Sequence, residues 1–339
     1  MALPTVIDKY QILAPLGNGH FGEVYHAFDR ALGAEKAIKV LSITDPSKFL
    51  DSLKEAQILN RCNHKHIVAI NEANIFPVNG TPRVILDLEY VAQGSLEGAM
   101  ASRWVSIRDG VVYLQGALLG LQHAHSEGFL HRDIKPGNIL LAPAGAKLSD
   151  FGLATQPGPA SYGSAQGYTT HLPPEFFSNG TTSVRSDVFA AGVTLFRAAS
   201  NLANWRSILS ATSDVHLHVE KGTLLQVIGF QPYIPAKITK IIRKACSPDP
   251  KKRFQSAHEF CQQLDRLRFD IDWIKVTDLL WSGNNGTHSF ELVVDPTSYA
   301  LTVKRNGRRQ TQQCKSYPSL SGAIAGLHSF VASTTLQQK

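Results

Sequence analysis

Paired cysteines are missing from this sequence. Its four cysteines, Cys62, Cys246, Cys261 and Cys314, are scattered without a CxxC pair, so neither a zinc site nor a disulfide framework is expected, and a reducing compartment is implied. No run of about 18 apolar residues occurs, which argues against a transmembrane helix, and Met1 to Tyr10 lacks the basic-then-apolar pattern of a signal peptide. Cytoplasmic residence without a membrane partner is therefore the expectation. Charged residues are sparse, at 18% against 43% hydrophobic, a balance of globular proteins and not of long disordered tracts. The length of 339 residues suits one large two-lobed unit with a small appendix. A net charge of +7 fits a nucleic-acid partner, an acidic substrate or plain colloidal solubility, and does not choose among them.

What is present is concentrated in one stretch, HRDIKPGNILL from His131 to Leu141, followed by SDFG from Ser149 to Gly152. Moving a γ-phosphoryl group needs an acceptor that orients a hydroxyl, oxygen ligands for a hard divalent ion, and positive charge on the developing phosphate oxygens. Asp133, Asn138, Asp150 and Lys135 supply that set. Pro136-Gly137-Asn138 is also ordinary turn chemistry, but the order and spacing match the protein-kinase signature.

Upstream, YQILAPLGNGHFGEVYHAFD alternates apolar residues on both sides of Gly17, Gly19 and Gly22, as in a hairpin. Glycine lets backbone amides approach a polyphosphate, and Phe21 at the tip would shield it. Strand-like EVYHAF follows, not a helix, which argues against a dinucleotide-binding turn. Lys39 then lies in the strand EKAIKVL among apolar neighbours, where a buried ammonium needs a partner. The phosphates of ATP and Glu55, within a helix predicted over 46–61, are the two candidates; a snorkelling surface lysine is the plainer account.

Taken together, the glycine loop, Lys39, Glu55, His131-Arg132-Asp133, Asn138 and Asp150-Phe151-Gly152 resemble a eukaryotic-type (Hanks-type) serine/threonine protein kinase over roughly residues 10–267. The resemblance implies an α+β, two-lobed kinase fold: a β-rich N-lobe and hinge over 1–91, a helical C-lobe over 92–270, and ATP between them. By the same resemblance, Asp133 orients the substrate hydroxyl, Lys135 contacts the transferred phosphate, and Lys39 paired to Glu55 holds the phosphates. Asn138 and Asp150 hold Mg²⁺, with Mn²⁺ as a substitute. Leu16, Gly17, Asn18, Gly19 and Gly22 cover the nucleotide, Val24, Ala37 and Leu140 sandwich the adenine, Leu88 is the gatekeeper, and the main chain of Glu89 and Val91 bonds the base. A helix predicted over 107–127 delivers the catalytic loop, and its His123 and His125, on different faces, read as structural. Asp187 resembles the family's anchor for that loop, and Arg253 its partner for Glu175. Residues 153–175 resemble an activation loop, with Ser161, Tyr162, Ser164, Thr169 and Thr170 as phosphoacceptors and Arg132 as the phosphate's partner. Departures stand beside these matches: Thr155 and Asp51 replace basic residues, Pro173 replaces an alanine, and Tyr168 stands where a threonine bridging Asp133 and Lys135 is usual.

From residue 271 to 339 the pattern changes to short alternating strands, HSFELVVD, SYALTVKR and RRQTQQCKSY, then an amphipathic helix over 319–333. A small α+β accessory domain is expected, a three-stranded sheet with one helix, either independent or docked on the kinase lobe. Bases outnumber acids there by seven to four, which suits a protein or nucleic-acid partner or a charged, aggregation-resistant edge. The function expected is a protein kinase transferring phosphate from ATP to Ser/Thr hydroxyls of protein substrates. The alternative is a pseudokinase scaffold that presents the C-terminal module.

Overall fold

Alternation of side chains along strand β4 (Ala34–Leu41) explains how the N-terminal sheet serves two cores at once. Ile38 and Val40 join a cluster with Tyr10, Tyr25 and Ile85. Ala37 and Leu41, on the other face, pack with Leu86 and Leu88 in the cluster that continues into the helical region. Lys39, between Ile38 and Val40, is therefore directed to the same face as Ala37 and Leu41. In the computed structural model, which describes residues 6–19, 22–41, 49–78, 81–143, 145–155 and 171–337, β4 is central in a six-stranded antiparallel sheet. Its order is β1 (Val6–Ile7), β2 (Tyr10–Gly19), β3 (Gly22–Asp29), β4, β6 (Thr81–Glu89), β5 (Ile70–Val78). Register sets Lys39 opposite Leu86 and Ala37 opposite Leu88. Helix α1 (Phe49–Arg61) packs on the sheet; the remainder of its predicted span, 46–48, lies outside the described residues.

The helical region is built around α3 (Ile107–Ser126) and α5 (Val184–Ala199). Ser106 caps α3 by accepting from the Asp109 N–H, and Gly128, at φ 81°, follows its C-cap. Two α3 glycines permit close approach. A Cβ on Gly116 would lie 2.8 Å from the Ala146 backbone, and one on Gly120 2.4 Å from the His66 carbonyl. The hairpin of β7 (Ile139–Ala142) and β8 (Gly145–Leu148) thus lies directly on the helix. Helix α5 carries a Ser183–Ser186 capping box and is buried along almost its whole length, the mark of a helix in the middle of a core. Around it stand α2 (Leu96–Ser102), α4 (Pro174–Asn179), α6 (Trp205–Ala211), α7 (Val215–Glu220), α8 (Leu224–Ile228), α9 (Ala236–Ala245) and α10 (Ala257–Asp265).

The C-terminal segment forms a second antiparallel sheet. Its order is β13 (Arg308–Arg309), β12 (Ala300–Arg305), β11 (Ser289–Val294), β10 (Leu280–Asn284), β9 (Asp272–Lys275), with β14 (Lys315–Ser316) also paired to β12. Helix α11 (Leu320–Thr334), capped by Ser319, covers one face through Ala323, Leu327 and Val331. This corrects the expected three strands. Strands β9 and β10 are short, and β10 holds Gly283, where a Cβ would strike Ile271 and Trp273 at 2.7 Å. The expected third strand divides into β13, a 3₁₀ turn at Thr311–Gln313 and β14. The sheet is docked: buried Trp281 meets Trp104 edge-on at 5.3 Å and Tyr233 at 5.1 Å, within the same hydrophobic cluster as the helical region.

Candidate active site

Four segments bring the predicted residues together: β4, α1, the loop between α3 and β7, and the turn after β8. The Lys39 ammonium donates to both Glu55 oxygens at 2.8 and 2.7 Å and to Asp150 Oδ1 at 2.8 Å. Lys39 is 4% and Glu55 6% exposed. Burial works against the Lys39 charge, but the two carboxylates outweigh it and hold its pKa above the ordinary range. Burial pushes Glu55 up, and Lys39 only partly offsets that. Burial also opposes the Asp150 charge, yet Lys39 brings that carboxyl below its usual value. One ammonium therefore holds two acids, the deeper of them harder to ionise.

Asp150 has φ 61° and Arg132 φ 69°, left-handed conformations that cost roughly 1–3 kcal/mol each outside glycine and persist where surroundings fix them. Those surroundings are specific. Buried Asp187, at the start of α5, accepts from the His131 N–H at 2.9 Å and the Arg132 N–H at 2.8 Å, and contacts His125 Nε2 at 2.8 Å. Burial raises the Asp187 carboxyl, but these partners reverse the effect and leave it ionised. His131, wholly buried, is kept neutral chiefly by desolvation, contacts the Ser149 carbonyl at 3.1 Å and meets Phe151 edge-on at 4.6 Å. Phe151 is itself fully buried, so the ring packing that fixes Phe151 also fixes the turn bearing Asp150.

Within this frame, Asp133, Lys135 and Asn138 converge. Lys135 Nζ reaches Asp133 Oδ2 at 2.6 Å. Asn138 Nδ2 donates to the Asp133 carbonyl at 2.8 Å and to Oδ2 at 2.9 Å. The Ser149 N–H donates to the Asn138 carbonyl at 2.9 Å, which ties the two acidic segments together.

The other predicted residues lie on strands of the N-terminal sheet and on β7. Ala37 and Leu88 face one another across β4 and β6, Val24 opposes Lys39, and Leu140 lies on β7. The Glu89 N–H is committed to the Ala69 carbonyl and the Val91 carbonyl accepts from Gly94. Leu16 and Gly17 are exposed on β2; Asn18 and Gly19 end that strand. Gly22 is required by packing, since a Cβ there would lie 2.3 Å from the Val40 carbonyl. Phe21, Tyr168 and the five loop phosphoacceptors lie outside the described residues.

Sequence reasoning named Asp187, Arg253 and Glu175; Arg253, 1% exposed, grips Glu175 with two bonds of 2.8 and 2.7 Å. It named His125 without its partner, and missed the pair of buried Arg197 with Glu97 at 2.6 Å. The Glu97 pair spans 100 residues of sequence and carried no local signal.

A β-rich lobe above a helical one, with a lysine–carboxylate cluster facing an aspartate loop, defines a kinase-type phosphoryl-transfer fold. Residues 10–264 match the protein kinase domain family. The serine/threonine-protein kinase PknJ of Mycobacterium tuberculosis is 30% identical over 271 residues, 76% of this chain and 45% of that protein. PrkC of Bacillus subtilis is 28% identical over 280 residues, 79% of this chain and 41% of its own length. The chain belongs to the protein kinase family, of the Hanks serine/threonine type, and spans less than two thirds of the length of these relatives. No helix among the described residues is long and apolar enough to cross a membrane.

Proposed function

We propose that the protein transfers the γ-phosphoryl group of ATP to serine and threonine hydroxyls of protein substrates. The observation that carries this is the convergence of Lys135 and Asn138 on one Asp133 oxygen, inside a loop clamped by Asp187. Held this way, Asp133 accepts the substrate hydroxyl's hydrogen bond as the oxygen attacks phosphorus. The O–P bond forms, the bond to the β-phosphate oxygen breaks, the proton passes to Asp133 and ADP leaves. Lys135 offsets charge on the transferred group, and Lys39, kept cationic by its carboxylates, offsets charge on the other phosphates. Catalysis is then positioning and charge stabilisation.

Mg²⁺ fits the residues present. Asn138 spends its amide nitrogen on Asp133, so its amide oxygen and the Asp150 carboxylate would be the groups that hold the cation. Mg²⁺ takes one or two protein oxygens and completes its shell with phosphate and water. Mn²⁺ has the same oxygen preference. When bound, the ion neutralises phosphate charge.

Adenine takes the slot between Val24, Ala37 and Leu140, with Leu88 at its back. Since the Glu89 N–H and the Val91 carbonyl are occupied, the Glu89 carbonyl and the Val91 N–H are the groups that meet the base. Leu16, Gly17, Asn18, Gly19 and Gly22 cover the phosphates. In this reading 1–91 and 92–270 are the two lobes and 271–339 is an accessory domain that recruits a macromolecular partner. The test is incubation with γ-labelled ATP, Mg²⁺ and a generic basic protein, followed by phosphoamino-acid analysis. Label on serine or threonine is expected; label on tyrosine alone, or tight ATP binding without transfer, overturns the reading.

A further inference from the structure

The entry to α2 runs antiparallel to the exit of the catalytic loop. Ser95 bridges Leu140, and the Leu141 N–H donates to the Gly94 carbonyl at 2.8 Å. This pairing brings Glu97, in the first turn of α2, onto the Pro136–Asn138 turn. A Cβ on Gly137 would lie 3.0 Å from Glu97 Oε2 and 3.9 Å from Lys135 Cε. The carboxylate therefore rests on the residue between Lys135 and Asn138, the two side chains that converge on Asp133.

The other carboxylate oxygen is anchored. Arg197, whose side chain is 0% exposed, donates from Nη2 to Glu97 Oε1 at 2.6 Å. Its guanidinium lies over the Trp205 ring at 5.1 Å and reaches the Leu202 carbonyl at 3.4 Å, so the anchor is fixed from the α5 side. Apolar side chains of similar volume often replace a buried ion pair with no loss of stability. Stability alone thus gives little reason for the pair. The turn beneath it is slight: three residues of 3₁₀ helix with no side-chain cap, closed by the Asn138 N–H on the Lys135 carbonyl at 3.0 Å. Such short pieces have poorer hydrogen-bond geometry than an α-helix, and what packs on them sets their place.

We propose that Glu97 is a positioning residue for phosphoryl transfer: held by Arg197, it backs the turn at Gly137 and so sets Lys135 and Asn138 against Asp133. The proposal rests on the proposed function. Glu97 touches neither nucleotide nor acceptor hydroxyl; it acts through the turn. Misplacing reacting groups by about 1 Å costs about 10²-fold in rate. Lys39, Glu89 and Val91 belong to other segments, so ATP affinity is spared.

The experiment uses the full chain with Mg²⁺, γ-labelled ATP and a generic basic protein as acceptor. Single-turnover transfer, ATP Kd and amide hydrogen exchange are measured for the parent, Glu97→Ala, Glu97→Gln, Gly137→Ala and the Glu97→Ala, Gly137→Ala double variant. Glu97→Ala should lower transfer by about ten- to a hundredfold with ATP Kd within a few-fold. Exchange at the Asn138 and Ser149 amides, both bonded within this loop, should quicken about tenfold while α10 is unchanged. Glu97→Gln keeps an acceptor for Arg197 and should stay within about threefold of the parent. Gly137→Ala presses on the carboxylate and should lower transfer about threefold, but not further in the Glu97→Ala background. If Glu97→Ala fails to fold, Gly137→Ala and Glu97→Gln carry the test: transfer unchanged in the first, or ATP affinity lost in either, overturns the proposal. A lowered denaturation midpoint with unchanged transfer per folded molecule makes the pair merely structural and also overturns it, as do additive effects in the double variant. These results leave the kinase reading standing; no transfer from the parent to the basic protein removes both.

Discussion

In the cleft, Lys39 is 4% exposed and lies between Glu55 and Asp150; on the β12–β13 hairpin, exposed Arg305 faces exposed Arg308 across the ladder. Burial accounts for the difference. An unpaired charge out of water costs several kcal/mol, so the cleft can hold charge only as a closed set of partners. Water and salt screen the hairpin, and like charges are tolerated there at a few tenths of a kcal/mol to about 1. The first cluster is preorganised for chemistry before any ligand arrives. The second stands in water and salt, exposed on the sheet edge.

The largest way to break this contrast is to open the closed set. Lys39→Met should lower phosphoryl transfer by about 10²-fold or more and, by stranding the buried Glu55 carboxylate and leaving half-buried Asp150 without its cation, cost about 3–5 kcal/mol in urea unfolding. A variant as stable as the parent would mean that the pair is not closed. Arg253→Ala repeats the experiment away from the nucleotide, since buried Arg253 holds Glu175 with two bonds. About 3 kcal/mol of lost stability is expected, read as a shift of the denaturation midpoint.

Acidification tests the buried imidazoles. His131 and His171 are kept neutral inside the protein mainly by desolvation, with pKa values below the usual one near 6.5. The unfolded chain therefore takes up protons below pH 6.5 that the folded chain does not. Their contribution is fully present above that pH and is lost as pH falls, at up to about 1.4 kcal/mol per pH unit for each histidine. Urea midpoints at pH 7.5 and 5.5 should fall accordingly, and His171→Phe should flatten the slope. A pH-independent midpoint in the parent contradicts it. The smallest effect belongs to the hairpin: Arg308→Glu turns the Arg305 pair from repulsive to attractive, so stability should rise by about 0.2–1 kcal/mol, and the gain should shrink in high salt.

How much was legible in the sequence follows from the range of the contacts. Asp133, Lys135 and Asn138 lie within six residues and meet at one carboxylate, so spacing alone located them. Lys39 was legible as a lysine needing a partner, because alternation along β4 makes it face the core side, but two candidate partners stood open until the geometry joined it to Glu55 and to Asp150. The helix α3 was placed to within a residue by apolar residues at helical spacing and by Gly128. Strands β9 and β10 were not, since each is four or five residues and their pairing is decided by Trp273 and Trp281 packing on distant aromatic residues. Arg197 inside α5 carried no local signal; its burial and its bond to Glu97 arise from tertiary packing. The basic tail was read correctly as charge, but its meaning depended on which cation faces which, and register is not printed in composition.

The central claim is that Asp133 acts on the hydroxyl and not on nucleotide binding. Single-turnover transfer from γ-labelled ATP, measured alongside the ATP Kd for the parent and Asp133→Asn, tests it most directly. Transfer should fall by about 10²–10⁴-fold while Kd stays within a few-fold. Transfer that survives the substitution, or falls only in proportion to lost ATP binding, contradicts the claim.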